Sequence, residues 1–190
     1  MTHLALIRHG TTDWNAAQRI QGHTDIPLND TGRSQARALA ARLQAEKWDR
    51  IYASDLSRAR ETAEIIAAAV GLPVQIDPRL REMSCGQMEG TTEADRVAKW
   101  GNEWRAPDLG IESKSSITER GLAFVHYILA KHPDERVLVV SHGALLRLTL
   151  QHLVPEMDTG GRLRSASYTE LEHAAGRWSC IGYNRITDQE

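Results

Sequence analysis

The chain carries only two cysteines, Cys85 and Cys180, in 190 residues. That is too few for a disulfide framework, and no C-x-x-C spacing offers a zinc cluster. Eight histidines invite a metal hypothesis, yet no H-x-x-x-H pair occurs among them. The chain also lacks any apolar run near the ~20 residues that a membrane span requires. Its N-terminus has a short apolar run, not the basic-then-apolar layout of a signal peptide. An excess of one charge is missing too: 23 Lys and Arg stand against 25 Asp and Glu, a formal net charge of −2. A general binder of nucleic acid or anionic membrane would show a basic excess. No internal repeat, low-complexity tract or Pro/Gly-rich linker divides the chain. These absences leave the expectation of a reduced, cytoplasmic protein with no nucleic-acid or membrane partner. With 41% hydrophobic residues, the chain is long enough for one ordinary domain, residues 1–190, with a real core.

What is present is an alternation of short apolar runs and amphipathic stretches. LALI (4–7), RIYAS (50–54), PVQID (73–77) and RVLVV (136–140) read as strands, and SASYTELEH and RWSCIGYNR as two more, joined by a tight turn at 174–176. Between them, 32–48 reads as a helix with Ala36, Leu39, Ala40 and Leu43 on one face. Asp55 or Ser57 is placed to cap the next helix, whose stripe is Ala59, Thr62, Ala63, Ile66 and Val70 and which ends at Gly71 and Pro73. Residues 91–109 are polar and read as an irregular or helical excursion. Ser116 and Glu119 have capping-box spacing for a helix that uses Ile117, Gly121, Phe124, Val125 and Ile128. Residues 144–154 read as a mostly apolar helix. Strands alternating with helices predict an α/β fold: one three-layer domain, its mostly parallel sheet flanked by helices on both faces.

Two of the apolar runs share an ending. LALIRHG stops on Arg8 and His9, and VLVVSHG stops on His142. Ligands of such sheets bind beyond the carboxyl ends of the strands, so these polar endings read as rim residues where a site is built. Arg58, in the first turn of the helix after the second strand, joins them. Two arginines offer forked N–H donors that match phosphate oxygens, and a helix N-terminus adds backbone N–H groups and a favourable dipole. A neutral imidazole in that pocket is a nucleophile toward phosphorus. Charge on a transferring phosphoryl group spreads over its outer oxygens, so a cationic cradle meets the main requirement and no metal is called for.

A leaving oxygen still needs a proton. Glu82, just after the third strand, is the candidate acid, with Glu89, Glu93 and Asp95 nearby in sequence as rivals. Each of these residues alone also fits a plain role, such as Arg8 pairing with an acid or either histidine making an ordinary hydrogen bond. The other six histidines read as surface or core residues, Trp100 and Trp104 as one packed helix face, and Cys85 as a small residue at the rim.

The ordered set resembles the histidine phosphatase superfamily, which includes the cofactor-dependent phosphoglycerate mutases. RHGTTDWN is similar to that family's RHG-E/T-x-x-x-N opening, and RIQGHTDIPLNDTGRSQA to its Q-G-x-x-D-x-P-L-x-x-x-G-x-x-Q-A segment. SDLSRARETA, EMSCGQMEG, GIES and VSHGALLR resemble its later motifs, in the same order. The resemblance runs nearly end to end and implies a phosphoglycerate mutase-like fold. It implies that His9 is the phosphorylated nucleophile, that Arg8, Arg58 and His142 bind the phosphoryl group, and that Glu82 is the proton donor. Asn15, Gln21, Gly22 and the backbone at Gly143 would be further substrate contacts. Met83, Ser84, Cys85 and Met88 depart from the family's usual residues beside the pocket, which bears on substrate size and not on chemistry.

Mutases of the family carry a longer excursion with clustered basic residues for a bisphosphate. Here residues 91–109 hold Arg96, Lys99 and Arg105, diluted by Glu93, Asp95, Glu103 and Asp108. A mutase must also keep its phosphoenzyme from water. The expectation is therefore a metal- and cofactor-independent phosphomonoesterase acting on a small phosphorylated metabolite through a phosphohistidine on His9. A phosphoglycerate mutase is the alternative enzyme, and a phosphate-ligand sensor the alternative from another class. The substrate stays open, and so does a homodimer.

Overall fold

The computed structural model describes residues 1–105 and 108–187. Six strands form one sheet: β1 (Thr2–Arg8), β2 (Arg50–Ala53), β3 (Val74–Ile76), β4 (Arg136–Ser141), β5 (Tyr168–Ala174) and β6 (Arg177–Arg185), in the order β3-β2-β4-β1-β5-β6. The first four run parallel, and β5 and β6 add antiparallel at the β1 edge. The helices are α1 (Asp13–Ala16), α2 (Asp30–Leu43), α3 (Ser57–Val70), α4 (Glu93–Trp100), α5 (Lys114–Lys131) and α6 (Gly143–Leu153).

The continuous apolar runs exist because the central strands are covered on both faces. Successive side chains of a strand point to opposite sides. Leu4 and Leu6 of β1 meet Phe124, Ile128 and Leu146 of α5 and α6, while Ala5 and Ile7 meet Leu39, Leu43 and Ile66 of α2 and α3. β4 divides in the same way, with Val137 and Val139 on one side and Leu138 and Val140 on the other. Burying each large aliphatic side chain stabilises the fold by about 1.5–3 kcal/mol. The three-layer α/β expectation is met.

This topology also fixes where a crevice must open. β1 and β4 are neighbours in register, Arg8 opposite Ser141. The chain leaving β1 goes to α2 on one face, and the chain leaving β4 goes to α6 on the other. Connections that part in opposite directions leave a gap beyond the carboxyl ends of the two strands.

Several local expectations shift. The first long helix is α2, beginning at Asp30 with Asn29 as its cap and ending at Leu43, not spanning 32–48. Trp48 is instead a buried core residue beyond it. Neither Asp55 nor Ser57 caps α3; its cap is Leu56, without a side-chain hydrogen bond, because Asp55 is drawn into an ion pair with Arg81. The cap of α5 is Ser113, whose hydroxyl accepts from the Ser116 N–H at 3.1 Å, so Ser116 lies inside the helix. Trp100 ends α4, and Trp104 lies beyond it, so the two do not share a helix face. Within the polar excursion, Ala106 and Pro107 lie outside the described residues. The 174–176 turn joins β5 and β6 as expected, with Ala175 and Gly176 both at positive φ.

Candidate active site

His9 follows the last residue of β1, and its N–H donates to the Ser141 carbonyl at 3.0 Å. This ladder contact sets it beside His142, the residue after β4, with ring centroids 5.2 Å apart. Both imidazoles are buried. His9 Nδ1 lies 2.7 Å from the Gly10 carbonyl, which can only accept, so Nδ1 carries the proton. Burial first, then Arg8 and Arg58, pushes the His9 pKa well below its ordinary value. The ring is therefore neutral at pH 7, with the lone pair on Nε2. His142 is pushed well below its ordinary value as well, by burial and then by Arg58.

Gly10 is required by close approach. A Cβ there would meet the Gly32 carbonyl oxygen at 2.5 Å, so the start of α2 can lie against the strand end only if this residue has no side chain. Its N–H donates to Thr62 Oγ1 at 3.1 Å, tying the nucleophile's loop to α3.

α3 supplies Arg58, which is 1% exposed. Its guanidinium donates to the carbonyls of Gly22 (2.7 Å) and Thr24 (2.9 Å). Gly22 presents that carbonyl from φ +55°, a conformation that favours glycine. Glu89 anchors the same loop, accepting from the N–H groups of His23 (3.0 Å) and Thr24 (2.9 Å) and from Thr24 Oγ1 and the Cys85 N–H. It is thus a structural carboxylate and no rival acid. Arg8 donates to the Leu163 carbonyl. Both arginines are held by neutral carbonyls, so their charge is not cancelled where they are anchored. Arg8 Nε, Arg58 Nε and both ring nitrogens of His142 are buried without a hydrogen-bond partner among the described residues. Buried unpaired donors are costly, so their clustering at one place marks a site for an anion.

Glu82 sits opposite, at the N-terminus of α6. Its carboxylate accepts from the N–H groups of Met83 (2.8 Å), Ala144 (3.2 Å) and Leu145 (3.3 Å). His23, read from sequence as an ordinary residue, donates from Nε2 to the Glu82 carbonyl at 2.7 Å. Gly143 is the first residue of α6, and a Cβ on it would lie 3.6 Å from Arg8 Nε and 3.9 Å from Glu82 Oε2.

All nine sequence-selected residues except His142 line one cleft of about 680 Å³. His142 is fully buried behind it, against the His9 ring. Asn15 accepts from the Thr12 N–H at 3.1 Å, and Gln21 from the Thr12 hydroxyl at 2.8 Å, so both are held in place at the wall. The cleft also holds residues that the sequence did not mark, chiefly Arg147 and Arg162. Seven of its lining residues are arginines against two acids, Glu82 and Glu93. Of the seven, only Arg19 is ion-paired among the described residues, with Asp95. Trp104 is buried in the wall, with the Arg96 guanidinium 4.4 Å and the Arg105 guanidinium 3.8 Å from its ring centre. Cys85 borders the cleft too, but burial pushes its thiol up to about 12, which makes it unreactive. Among the described residues, no three His, Cys, Asp or Glu come together to hold a metal ion, and no helix is long and apolar enough to cross a membrane.

The family model of the histidine phosphatase superfamily (branch 1) matches residues 4–186. An uncharacterized phosphatase of Bacillus subtilis is 35% identical, over 97% of this chain and 95% of its own. A probable phosphoglycerate mutase of Cronobacter sakazakii is 36% identical, over 96% of this chain and 90% of its own. Among solved structures, a mycobacterial glucosyl-3-phosphoglycerate phosphatase in complex with VO3 superposes with a TM-score of 0.84 at 32% identity, covering 96% of this chain and 98% of the other.

Proposed function

The chain belongs to the histidine phosphatase superfamily, branch 1, and from that premise we propose that residues 1–190 act as one phosphomonoesterase domain working through a phosphohistidine on His9. The observation that carries this reading is the neutral His9 Nε2 beside the unpartnered, buried nitrogens of Arg8, Arg58 and His142. In the first step Nε2 attacks phosphorus, the bond to the leaving oxygen breaks, and the Glu82 carboxyl gives that oxygen its proton. In the second, water attacks the phosphohistidine while the Glu82 carboxylate takes its proton; the N–P bond breaks and inorganic phosphate leaves. Arg8 and Arg58 hold the equatorial oxygens, and their charge stabilises the transition state in the role a metal fills elsewhere. The free thiols of Cys85 and Cys180 suit a reducing compartment, which supports a cytoplasmic enzyme.

The substrate is a small phosphomonoester whose leaving group carries negative charge of its own. Among the described residues Arg96, Arg105, Arg147 and Arg162 have no acidic partner, and they line the cleft beyond the phosphoryl cradle, which supports that choice. Trp104 is already flanked by two guanidiniums, which disfavours a base or sugar stacked on its ring.

The test is a screen over phosphomonoesters in the presence of EDTA, with 3-phosphoglycerate assayed both alone and with 2,3-bisphosphoglycerate. Phosphate release that survives the chelator, is highest for the acid-bearing esters and is blocked by vanadate is the expected result. Phosphoryl transfer between glycerates without phosphate release would make the enzyme a mutase. Tight binding without turnover would make the protein a sensor.

A further inference from the structure

We infer that Arg120, on α5, is a positioning residue for Glu82 that acts through the backbone and touches no substrate. The inference rests on the reading of Glu82 as the proton donor. Arg120 Nη1 donates to the carbonyls of Arg79 (2.8 Å) and Arg81, and Nη2 to the carbonyl of Glu82 itself (2.8 Å). The other edge of the guanidinium forks onto Glu112, with both bonds at 2.9 Å. Glu112 in turn accepts from the Ser84 N–H at 3.2 Å and from Ser116 Oγ at 3.0 Å, and its own N–H donates to the Ser84 carbonyl at 2.9 Å. Backbone on both sides of Glu82 is thereby fastened to the head of α5. The intervening carbonyl, that of Leu80, accepts from Ser141 Oγ at 2.7 Å.

The segment needs such a clamp because it has left the sheet. β3 ends at Ile76, so the carbonyls of Arg79, Arg81 and Glu82 have no strand ladder to pair with. Only a guanidinium supplies enough donors in one rigid plane for three carbonyls and a bidentate carboxylate. Arg120 is not part of the cleft wall. Its effect on catalysis must pass through where it holds Glu82, whose carboxyl needs sub-ångström placement against the leaving oxygen. A misplacement of about 1 Å costs roughly 10²-fold in rate.

The experiment measures single-turnover phosphorylation of His9 by two esters, an alkyl phosphate and p-nitrophenyl phosphate. Nitrophenolate leaves without a proton, so the second ester reports the cradle and nucleophile without the acid. For Arg120→Met, the alkyl ester should slow by roughly 10- to 100-fold and the nitrophenyl ester by less than about 3-fold. Combined with Glu82→Gln, the alkyl loss should not deepen, since both changes disable one proton transfer. Arg120→Lys should recover part of the alkyl rate. Should Arg120→Met not fold, Glu112→Gln, which weakens the fork, carries the test with a smaller split of the same sense.

Equal slowing of both esters, or losses that add in the double variant, would show a general structural role and overturn the inference. Glu82→Gln alone is the control. If it slows both esters alike, Glu82 is not the acid and the reading beneath the inference falls. If it shows the split and the Arg120 and Glu112 variants do not, the clamp alone falls.

Discussion

A buried histidine lies at or just past each end of β1, and the two ends have opposite characters. His3, near its start, stacks on Trp48 with ring centres 5.6 Å apart and lies 3.8 Å from a Glu170 oxygen. Arg136 covers the same indole, and its charge is taken up by Glu46, as that of Arg185 is by Glu170. His9, just past the other end, faces Arg8 and Arg58, which rest on carbonyls and whose Nε groups find no partner among the described residues. Burial is the leading cause that lowers the pKa of both histidines. A buried histidine with a lowered pKa is therefore no signature of chemistry by itself. What separates the two ends is that cations meet acids at one and neutral acceptors at the other. At the second end seven arginines against two acids line the cleft, which leaves positive charge there for an anion.

The largest expected effect breaks the comparison most directly. His9→Ala should abolish an acid-labile, alkali-stable phosphoenzyme and lower turnover by roughly 10⁴-fold or more. His3→Gln should leave kcat within about 3-fold and lower stability by about 1–3 kcal/mol. The measurements are quench-trapped radiolabel and chemical denaturation; an inactive but stable His3→Gln protein would erase the distinction between the ends.

A smaller difference is expected between the arginines. Arg58→Lys removes the fork while keeping a charge, and should cost roughly 10²–10³-fold in kcat, the range for losing a preorganised donor to a developing charge. Arg136→Lys keeps its charge near Glu46 at a partly exposed position and should change stability by under ~1 kcal/mol with no change in kcat. Steady-state kinetics and melting curves decide it, and a kinetic defect in Arg136→Lys would count against the assignment.

The smallest effect is one in which the two ends should agree. His3, His9 and His142 all have folded-state pKa values below their ordinary ones. The unfolded chain then binds more protons than the folded chain below about pH 6.5, so stability is full above that pH and falls as pH drops through it. Removing one of these groups, as in His3→Gln or His142→Gln, should flatten the slope by up to ~1.4 kcal/mol per pH unit. Denaturation at pH 7.5 and 5.5 reads this directly, and unchanged slopes in both variants would contradict it.

Much of this was legible in the amino-acid order, because the relevant signals are local. An apolar run covered on both faces must end where the cover ends, so Arg8, His9 and His142 could be placed at the carboxyl rim from LALIRHG and VLVVSHG alone. The stripe of α3 put Arg58 in a first turn, and six ordered motifs pointed to one family. Other features depended on partners far away in the chain. Asp55 looked like a cap until Arg81 reached it, and Ser116 until Ser113 preceded it at the turn. Glu89 looked like a free acid, but its oxygens are taken by the His23–Thr24 loop and Cys85. Arg147 and Arg162 reach the cleft, and Arg120 reaches the segment of Glu82, only once α5, α6 and the loop before β5 have packed. Periodicity and strand endings are properties of neighbouring residues, and the sequence states them. Which charge is neutralised, and which is left for a ligand, is set by contacts between residues distant in sequence, and those exist only in the folded molecule.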